Sequence, residues 1–199
     1  MWLVMSLVCI VAAMILYSRI QGDIPDELSF LKKSKKEYAI NTQNALNIDE
    51  LKNNSYISGW YIKKDSLGNF EYTKAFDTNI EVDGSRLSPP EMIFTCYERQ
   101  LYISLNTRIG TNFYKKDESY YTDIDIKSLN TTLLSSSWLL GKNNKAFYED
   151  KMEFLNTVQK ESELKVNISY AGERKDYHID MSGLPKLIGT IVDCEKVQK

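Results

Sequence analysis

The chain has 199 residues, which is enough for one ordinary domain and a short additional segment. Hydrophobic residues make up 43% of the sequence and aromatic residues 12%, a composition that excludes a disordered chain. Lysine and arginine total 25 against 27 aspartate and glutamate, which gives a formal net charge of -2. Because there is no basic excess to bind a phosphate backbone, nucleic acid is not an expected partner.

The amino terminus carries an almost unbroken apolar run from Trp2 to Tyr17. Extended to Ile20, the run just crosses a hydrocarbon core of about 30 Å at roughly 1.5 Å per residue, so we predict a transmembrane anchor over residues 1–20. A cleaved signal peptide is the second interpretation, but no basic segment precedes the run and no small-x-small cleavage site follows it. A lipoprotein signal is the third, although Cys9 lies too early in the chain and has no small residue just before it.

The residues after the apolar run are polar and rich in lysine. We predict a polar stalk or a marginal helix over residues 21–55, in which Asp26 is the candidate cap. Arg19 and the lysines within residues 32–36 follow the run, so the positive-inside rule places the domain in the cytosol. In a chain that starts further upstream, basic residues ahead of Met1 would instead favour the opposite orientation. The lysines either form a solvated face or contact anionic lipid.

From Tyr56 onward the pattern is that of β-strands, and the thirteen tyrosines suit a half-buried sheet. Glu91–Asn106 predicts two short strands joined by a tight turn from Tyr97 to Gln100, and the first strand carries Cys96. Further strands are predicted over Tyr56–Lys64, Phe70–Ile80, Tyr120–Lys127 and Thr131–Leu140.

Helical and strand patterns alternate in the last third of the chain. Asp150 is predicted to cap a helix that runs to about Glu161. A hairpin follows, with strands over Leu164–Tyr170 and Lys175–Met181, and a last helix opens near Pro185 and ends at Cys194. These elements predict a mainly β fold over residues 56–199, an antiparallel β-sandwich with one or two packed helices.

Three side chains are candidates for chemistry. Asp123 and Asp125 lie two residues apart on a predicted strand and share a face, which suits an acid–base pair or weak attraction of a cation. His178 is the only histidine in the chain and no metal or triad motif accompanies it. We expect all three to be ordinary solvated strand positions, and we predict no catalytic residue, cofactor site or metal site.

Several short segments occur along the chain in an order that is typical of one family. The segments are Ile93-Phe94-Thr95-Cys96, Leu101–Leu105, Tyr121–Asp125, Trp138, Lys145–Tyr148, Phe154-Leu155, Leu164–Val166, Met181–Leu184 and Cys194. In this order they resemble the type VI secretion-associated periplasmic proteins of the VasI/TagO kind. The resemblance covers roughly the C-terminal 120 residues and does not include the apolar run or the stalk.

The resemblance implies a β-sandwich domain in the periplasm, and the apolar run would anchor this domain to a bacterial inner membrane. An oxidising compartment permits a disulfide between Cys96 and Cys194, which closes a loop of about a hundred residues. The alternative is two buried free thiols in a cytosolic domain, which the basic residues after the apolar run favour.

The function implied by the resemblance is that of a non-enzymatic envelope protein. It would bind an envelope protein partner, as an accessory of a type VI secretion apparatus, and contact the membrane through its anchor. Three alternatives remain: a phage- or prophage-derived envelope modulator acting in superinfection exclusion or lysis control, a cytosol-facing anchored regulator, and an envelope enzyme that uses Asp123, Asp125 and His178.

Overall fold

The computed structural model describes residues 55–82, 85–129, 131–170 and 172–196. The predicted anchor over residues 1–20 and residues 21–54 of the predicted stalk lie outside these ranges. Neither helix within the described ranges is long and apolar enough to span a membrane. The strands are β1 (Ser55–Ile57), β2 (Trp60–Lys64), β3 (Phe70–Ala75), β4 (Ile80–Val82), β5 (Ser85–Leu87), β6 (Glu91–Tyr97), β7 (Gln100–Asn106), β8 (Tyr114–Lys116), β9 (Ser119–Ser128), β10 (Thr131–Leu140), β11 (Lys145–Tyr148), β12 (Glu163–Tyr170) and β13 (Glu173–Asp180), and the helices are α1 (Lys151–Val158) and α2 (Leu184–Lys196).

The described strands form one large antiparallel sheet and one small hairpin. Ten strands pair in the order β1-β2-β3-β6-β7-β11-β10-β9-β12-β13, β8 pairs with the beginning of β9, and β4 pairs only with β5. The prediction of a mainly β, antiparallel domain with one or two helices is confirmed, and the described residues contain two. The segment between β3 and β4 contacts β13 at the far end of the strand order, since the backbone N–H of Asp77 donates to the carbonyl of His178 at 2.9 Å.

Along β9 and β12, alternation of buried and exposed side chains shows which face of the sheet is buried. In β12, Leu164, Val166 and Ile168 are fully buried while the residues between them are partly exposed. In β9, Ile124 and Ile126 are fully buried in the same way. Successive side chains of a strand point to opposite faces, so in β9 and β12 one face carries the core and the other carries polar residues. Strands β6 and β7 bury consecutive side chains and are covered on both faces.

The core lies between this apolar face and the two helices. The ring of Phe154 in α1 is fully buried and lies 5.5 Å from Tyr148, 5.9 Å from Trp138 and 6.2 Å from Phe94, measured between ring centroids. Helix α2 packs on β6 and β7. Its apolar face is entirely buried and consists of Leu184, Leu187, Ile188, Ile191 and Val192.

Helix α1 begins where the sequence predicts and ends earlier. The carboxylate of Asp150 accepts a hydrogen bond from the backbone N–H of Glu153 at 3.0 Å, which is the expected N-cap contact. The helix ends at Val158 rather than at Glu161. Beyond it the chain turns, with the N–H of Glu161 bonded to the carbonyl of Val158, and enters β12.

Two predicted strands are shorter than expected. The prediction of one strand over Tyr56–Lys64 is wrong, because Ser58 and Gly59 have φ values of 48° and 81° and form a tight turn between β1 and β2. A left-handed residue pair of this kind is the usual connection of a two-residue hairpin. The strand predicted over Phe70–Ile80 ends at Ala75, and β4 begins only at Ile80.

Candidate functional site

The first feature of interest joins the middle of the sheet to the end of the chain. Cys96 on β6 and Cys194 on α2 form a disulfide, with their Cα atoms 5.7 Å apart and a sequence separation of 98. Both half-cystines are buried. Cys96 lies beside Phe70 of β3 and Leu101 of β7, so the bridge pins the last described turn of α2 to the centre of three paired strands.

A groove of about 330 Å³ lies beside this disulfide. Two turns form its walls, 65–69 and 97–100, and Asp193 of α2 contributes to the lining. The carboxylate of Asp65 accepts from the N–H groups of Leu67 and Asn69 at 2.8 and 2.9 Å. The side-chain oxygen of Asn69 accepts from the N–H of Glu98 at 3.0 Å, which ties the two turns together. Hydrogen bonds therefore connect the two turns that form the walls of the groove.

The two predicted aspartates share the polar face of the sheet, as their spacing requires. The carboxylate of Asp123 accepts from the Ser137 hydroxyl at 2.9 Å and from the Tyr114 hydroxyl at 3.2 Å. The carboxylate of Asp125 accepts from the Ser135 hydroxyl at 2.6 Å.

The same carboxylate of Asp125 also pairs with the guanidinium of Arg174 at 3.3 Å. Ser135 and Ser137 lie directly across from the two aspartates because β10 and β9 pair in that register. The serine-rich segment of β10 thus has a structural role that its sequence did not reveal.

His178 lies apart from the aspartates. Its Nδ1 atom is 2.7 Å from the Glu163 carboxylate across the β12–β13 pair, and both side chains are exposed. Strand β12 lies between β13 and β9. His178 pairs with Lys165 of β12, whereas the β12 residue that pairs with Asp125 is Asn167. Over the described part of the chain, no group of three or more histidine, cysteine, aspartate or glutamate side chains is placed to hold a metal ion.

A short hairpin presents aromatic side chains to solvent. Phe113, Tyr114 and Tyr120 are exposed by 62%, 41% and 48%, and they flank the β8–β9 turn. The ring of Phe113 meets the ring of Tyr120 edge-on at 5.4 Å, and Tyr114 stacks on Tyr121 at 6.2 Å. No strand is predicted over β8 from the sequence, although its run of aromatic residues and lysines is a visible signal.

Comparison of the chain with protein-family models, with curated proteins and with solved structures finds no match. The resemblance to type VI secretion-associated proteins therefore stays a prediction from the quoted segments. Those segments lie on β6, β7, β9, β10, β11, β12, the helices and the approach to α2, so they trace the core and the disulfide rather than a reactive centre. The described surface offers a polar sheet face, an exposed aromatic hairpin and a groove beside a disulfide, which are features suited to binding.

Proposed function

We propose that this protein is a non-enzymatic, membrane-anchored envelope protein that acts by binding another protein, with its β domain in the periplasm. The observation that carries the proposal is the Cys96–Cys194 disulfide. Structural disulfides persist in oxidising compartments and are rare in the cytosol. A bridge that fastens the carboxyl-terminal helix to the sheet suits a domain that must stay folded outside the cytosol.

The finer parts of the proposal rest on the sequence. The apolar run from Trp2 to Tyr17 is proposed as the anchor in the bacterial inner membrane. The large sheet is proposed to fold over its core as a β-sandwich, in line with the backbone bond between Asp77 and His178. The order of segments that resembles the VasI/TagO kind supports an accessory role in a type VI secretion apparatus.

Specific observations favour two alternative functions. A phage- or prophage-derived envelope modulator would have the same anchor and the same disulfide-stabilised domain, and phage genes beside its own gene would favour it over a secretion accessory. A cytosol-facing regulator is favoured by Arg19 and the lysines within residues 32–36, which follow the apolar run. A reporter enzyme fused to the carboxyl terminus and active only in the cytosol would overturn the periplasmic placement.

The decisive experiment counts free thiols in intact cells. Cells are precipitated in acid to trap thiols, the chain is denatured, and a large maleimide is added with or without prior reduction. In a Cys9→Ser variant we expect no adduct without reductant and two after reduction, because Cys96 and Cys194 are the remaining cysteines. Two adducts in both samples would contradict the periplasmic placement. The unmodified chain serves as the control, since Cys9 should add one adduct to both samples if the amino terminus is retained.

A further inference from the structure

Within the part of the chain that the structure describes, strand β10 lacks a neighbouring strand along part of one edge, in the middle of the large sheet, and helix α1 contacts this strand where Phe154 packs on Trp138. It pairs with β9 along most of its length, but on its other side β11 meets it only at Leu139 and Leu140. The pairing with β9 shifts register between Thr132 and Leu134, which marks a bulge. Within the described residues, the segment 134–138 is thus a regular stretch of strand with no strand on one side.

One hydrogen bond shows which backbone groups of β10 face this edge. The N–H of Gly141 donates to the carbonyl of Lys145 at 2.8 Å, so the backbone groups of Gly141 point toward β11. Along an antiparallel strand the N–H and C=O groups of alternate residues point to the same side. Leu139 therefore faces β11, and the N–H and C=O groups of Ser135 and Ser137 point to the free edge. Unpaired backbone groups of this kind are a template for an added strand.

The side chains beside the edge give it a preference in charge. Ser135 and Ser137 are exposed on the polar face, and each bonds to an aspartate of β9. Asp125 already pairs with Arg174. Asp123 has only hydroxyl partners, from Ser137 and Tyr114, among the hydrogen bonds and ion pairs of the described residues. A strand added to β10 would lie two strand spacings from β9, about 10 Å, which a lysine or arginine side chain and the Asp123 carboxylate can span together.

We propose that the free edge of β10 over residues 134–138 is the docking site for an extended segment of the protein partner, which joins the sheet as an added antiparallel strand and places a lysine or arginine beside Ser137. The bulge at one end and β11 at the other limit the segment to about five residues that pair. Main-chain hydrogen bonds to Ser135 and Ser137 supply affinity, and the cation near Asp123 supplies selectivity. This inference rests on the proposed role in protein binding and names the partner's chemistry.

The test uses a fluorescent, end-blocked peptide of alternating threonine and lysine and a matched peptide of alternating threonine and glutamate. Binding to the detergent-solubilised full chain is followed by anisotropy. We expect the lysine peptide to bind more tightly than the glutamate peptide. The variant Asp123→Asn should weaken the lysine peptide roughly two- to fivefold. The exposed carboxylate variant Glu118→Gln makes the same change in charge within the β8–β9 turn and should leave binding unchanged.

A second pair of variants separates backbone from side chain. Ser137→Pro removes the N–H that faces the free edge, where proline is tolerated, and should weaken the peptide about tenfold or more. Ser137→Ala keeps that N–H and should change binding less than Ser137→Pro does. The disulfide and the thermal midpoint confirm that each variant is folded. Equal binding of both peptides, or equal effects of the proline and alanine variants, would overturn the inference.

The oligomeric state of the chain also tests which strand pairs with this edge. If Ser137→Pro converts a dimer into a monomer while peptide binding is unaffected, the edge pairs with a second copy and the proposal is wrong. Failure here leaves the thiol-counting result intact, because that experiment reports the compartment and not the docking site. Conversely, free thiols in intact cells would remove the periplasmic placement without affecting peptide binding to the edge.

Discussion

The hydroxyl of Tyr72 on β3 donates a hydrogen bond to the Thr190 hydroxyl on α2 at 3.0 Å, inside the core. Thr190 in turn donates to the carbonyl of Leu187 at 2.7 Å. The two bonds form a buried relay from the sheet to the helix backbone, and both residues are almost fully inaccessible to solvent. Together with the Cys96–Cys194 disulfide, this relay attaches α2 to the sheet at two separate points.

The Tyr72 relay makes stability sensitive to alkaline pH. Burial raises the pKa of Tyr72 to about 12, from an ordinary value of 10.0. The folded chain therefore keeps this proton to higher pH than the unfolded chain, so the stabilisation is complete below about pH 10 and falls as pH rises toward 12. Burial likewise raises the pKa of Tyr148 and Tyr170, which adds to the loss.

Replacing Tyr72 by phenylalanine tests this relay. Tyr72→Phe should cost about 1 kcal/mol at neutral pH, because one buried hydrogen bond is lost. It should also reduce the decline in unfolding free energy above pH 10 by up to about 1.4 kcal/mol per pH unit. Urea unfolding at several pH values, followed by the fluorescence of the buried Trp60 and Trp138, measures both effects. A decline identical to that of the unmodified chain would show that Tyr72 does not titrate in this way.

Removing the disulfide should weaken the domain without changing its fold. The bridge spans 98 residues, so Cys96→Ala with Cys194→Ala should lower the unfolding free energy by about 2–5 kcal/mol. A Cys9→Ser background prevents cross-linking through the remaining thiol. Denaturation with and without dithiothreitol provides the control: reductant should lower the stability of the unmodified chain to that of the double variant and leave the variant unchanged. Equal stability of all samples would mean that the bridge contributes nothing to folding.

Local elements of this fold are predictable because their signals lie close together in sequence. The hairpin from Glu91 to Asn106 is read from two apolar runs and a polar turn, and the structure places left-handed residues at Glu98 and Arg99. The cap at Asp150 and the apolar face of the last helix are equally local. The turn at Ser58 and Gly59 is equally local, and the Ser-Gly pair is its signal in the sequence.

Relations between distant strands are not predictable in this way. β11 lies between β7 and β10, and nothing in the residues of 145–148 specifies that position. The contacts of Ser135 with Asp125 and of Ser137 with Asp123 depend on the register of β9 and β10. A shift of one residue would turn every side chain to the other face, so such contacts become visible only once the pairing is known.

The ring of Phe154 should be a principal contributor to core stability. It is fully buried among Trp138, Tyr148 and Phe94, so Phe154→Ala should cost about 3–5 kcal/mol through lost burial and a residual cavity. Phe154→Leu should cost less, since leucine refills part of the volume. Chemical denaturation measures both. The exposed ring of Phe113 is the matched control, and Phe113→Ala should stay within about 0.5 kcal/mol of the unmodified chain. Comparable losses for Phe113→Ala and Phe154→Ala would contradict this view of the core.

Gly183 is required by close packing and not by its backbone conformation. A Cβ atom at this position would lie 2.6 Å from both the Cβ and the carbonyl oxygen of Ser58, and 2.9 Å from Cδ1 of Trp60. Gly183→Ala should therefore cost about 1–3 kcal/mol, because the β1–β2 turn must move away from the start of α2.

At Gly110 a Cβ would meet no atom within 4 Å. Gly110→Ala should accordingly be neutral or stabilise the fold by up to about 1 kcal/mol, through the lower entropy of the unfolded chain. Thermal midpoints of the two single variants provide the comparison, and a loss of the same size in both would show that the approach of Ser58 to Gly183 is not tight. Because Gly183 contacts the turn between β1 and β2, its variant should also expose the amides of residues 58–60 to faster hydrogen exchange.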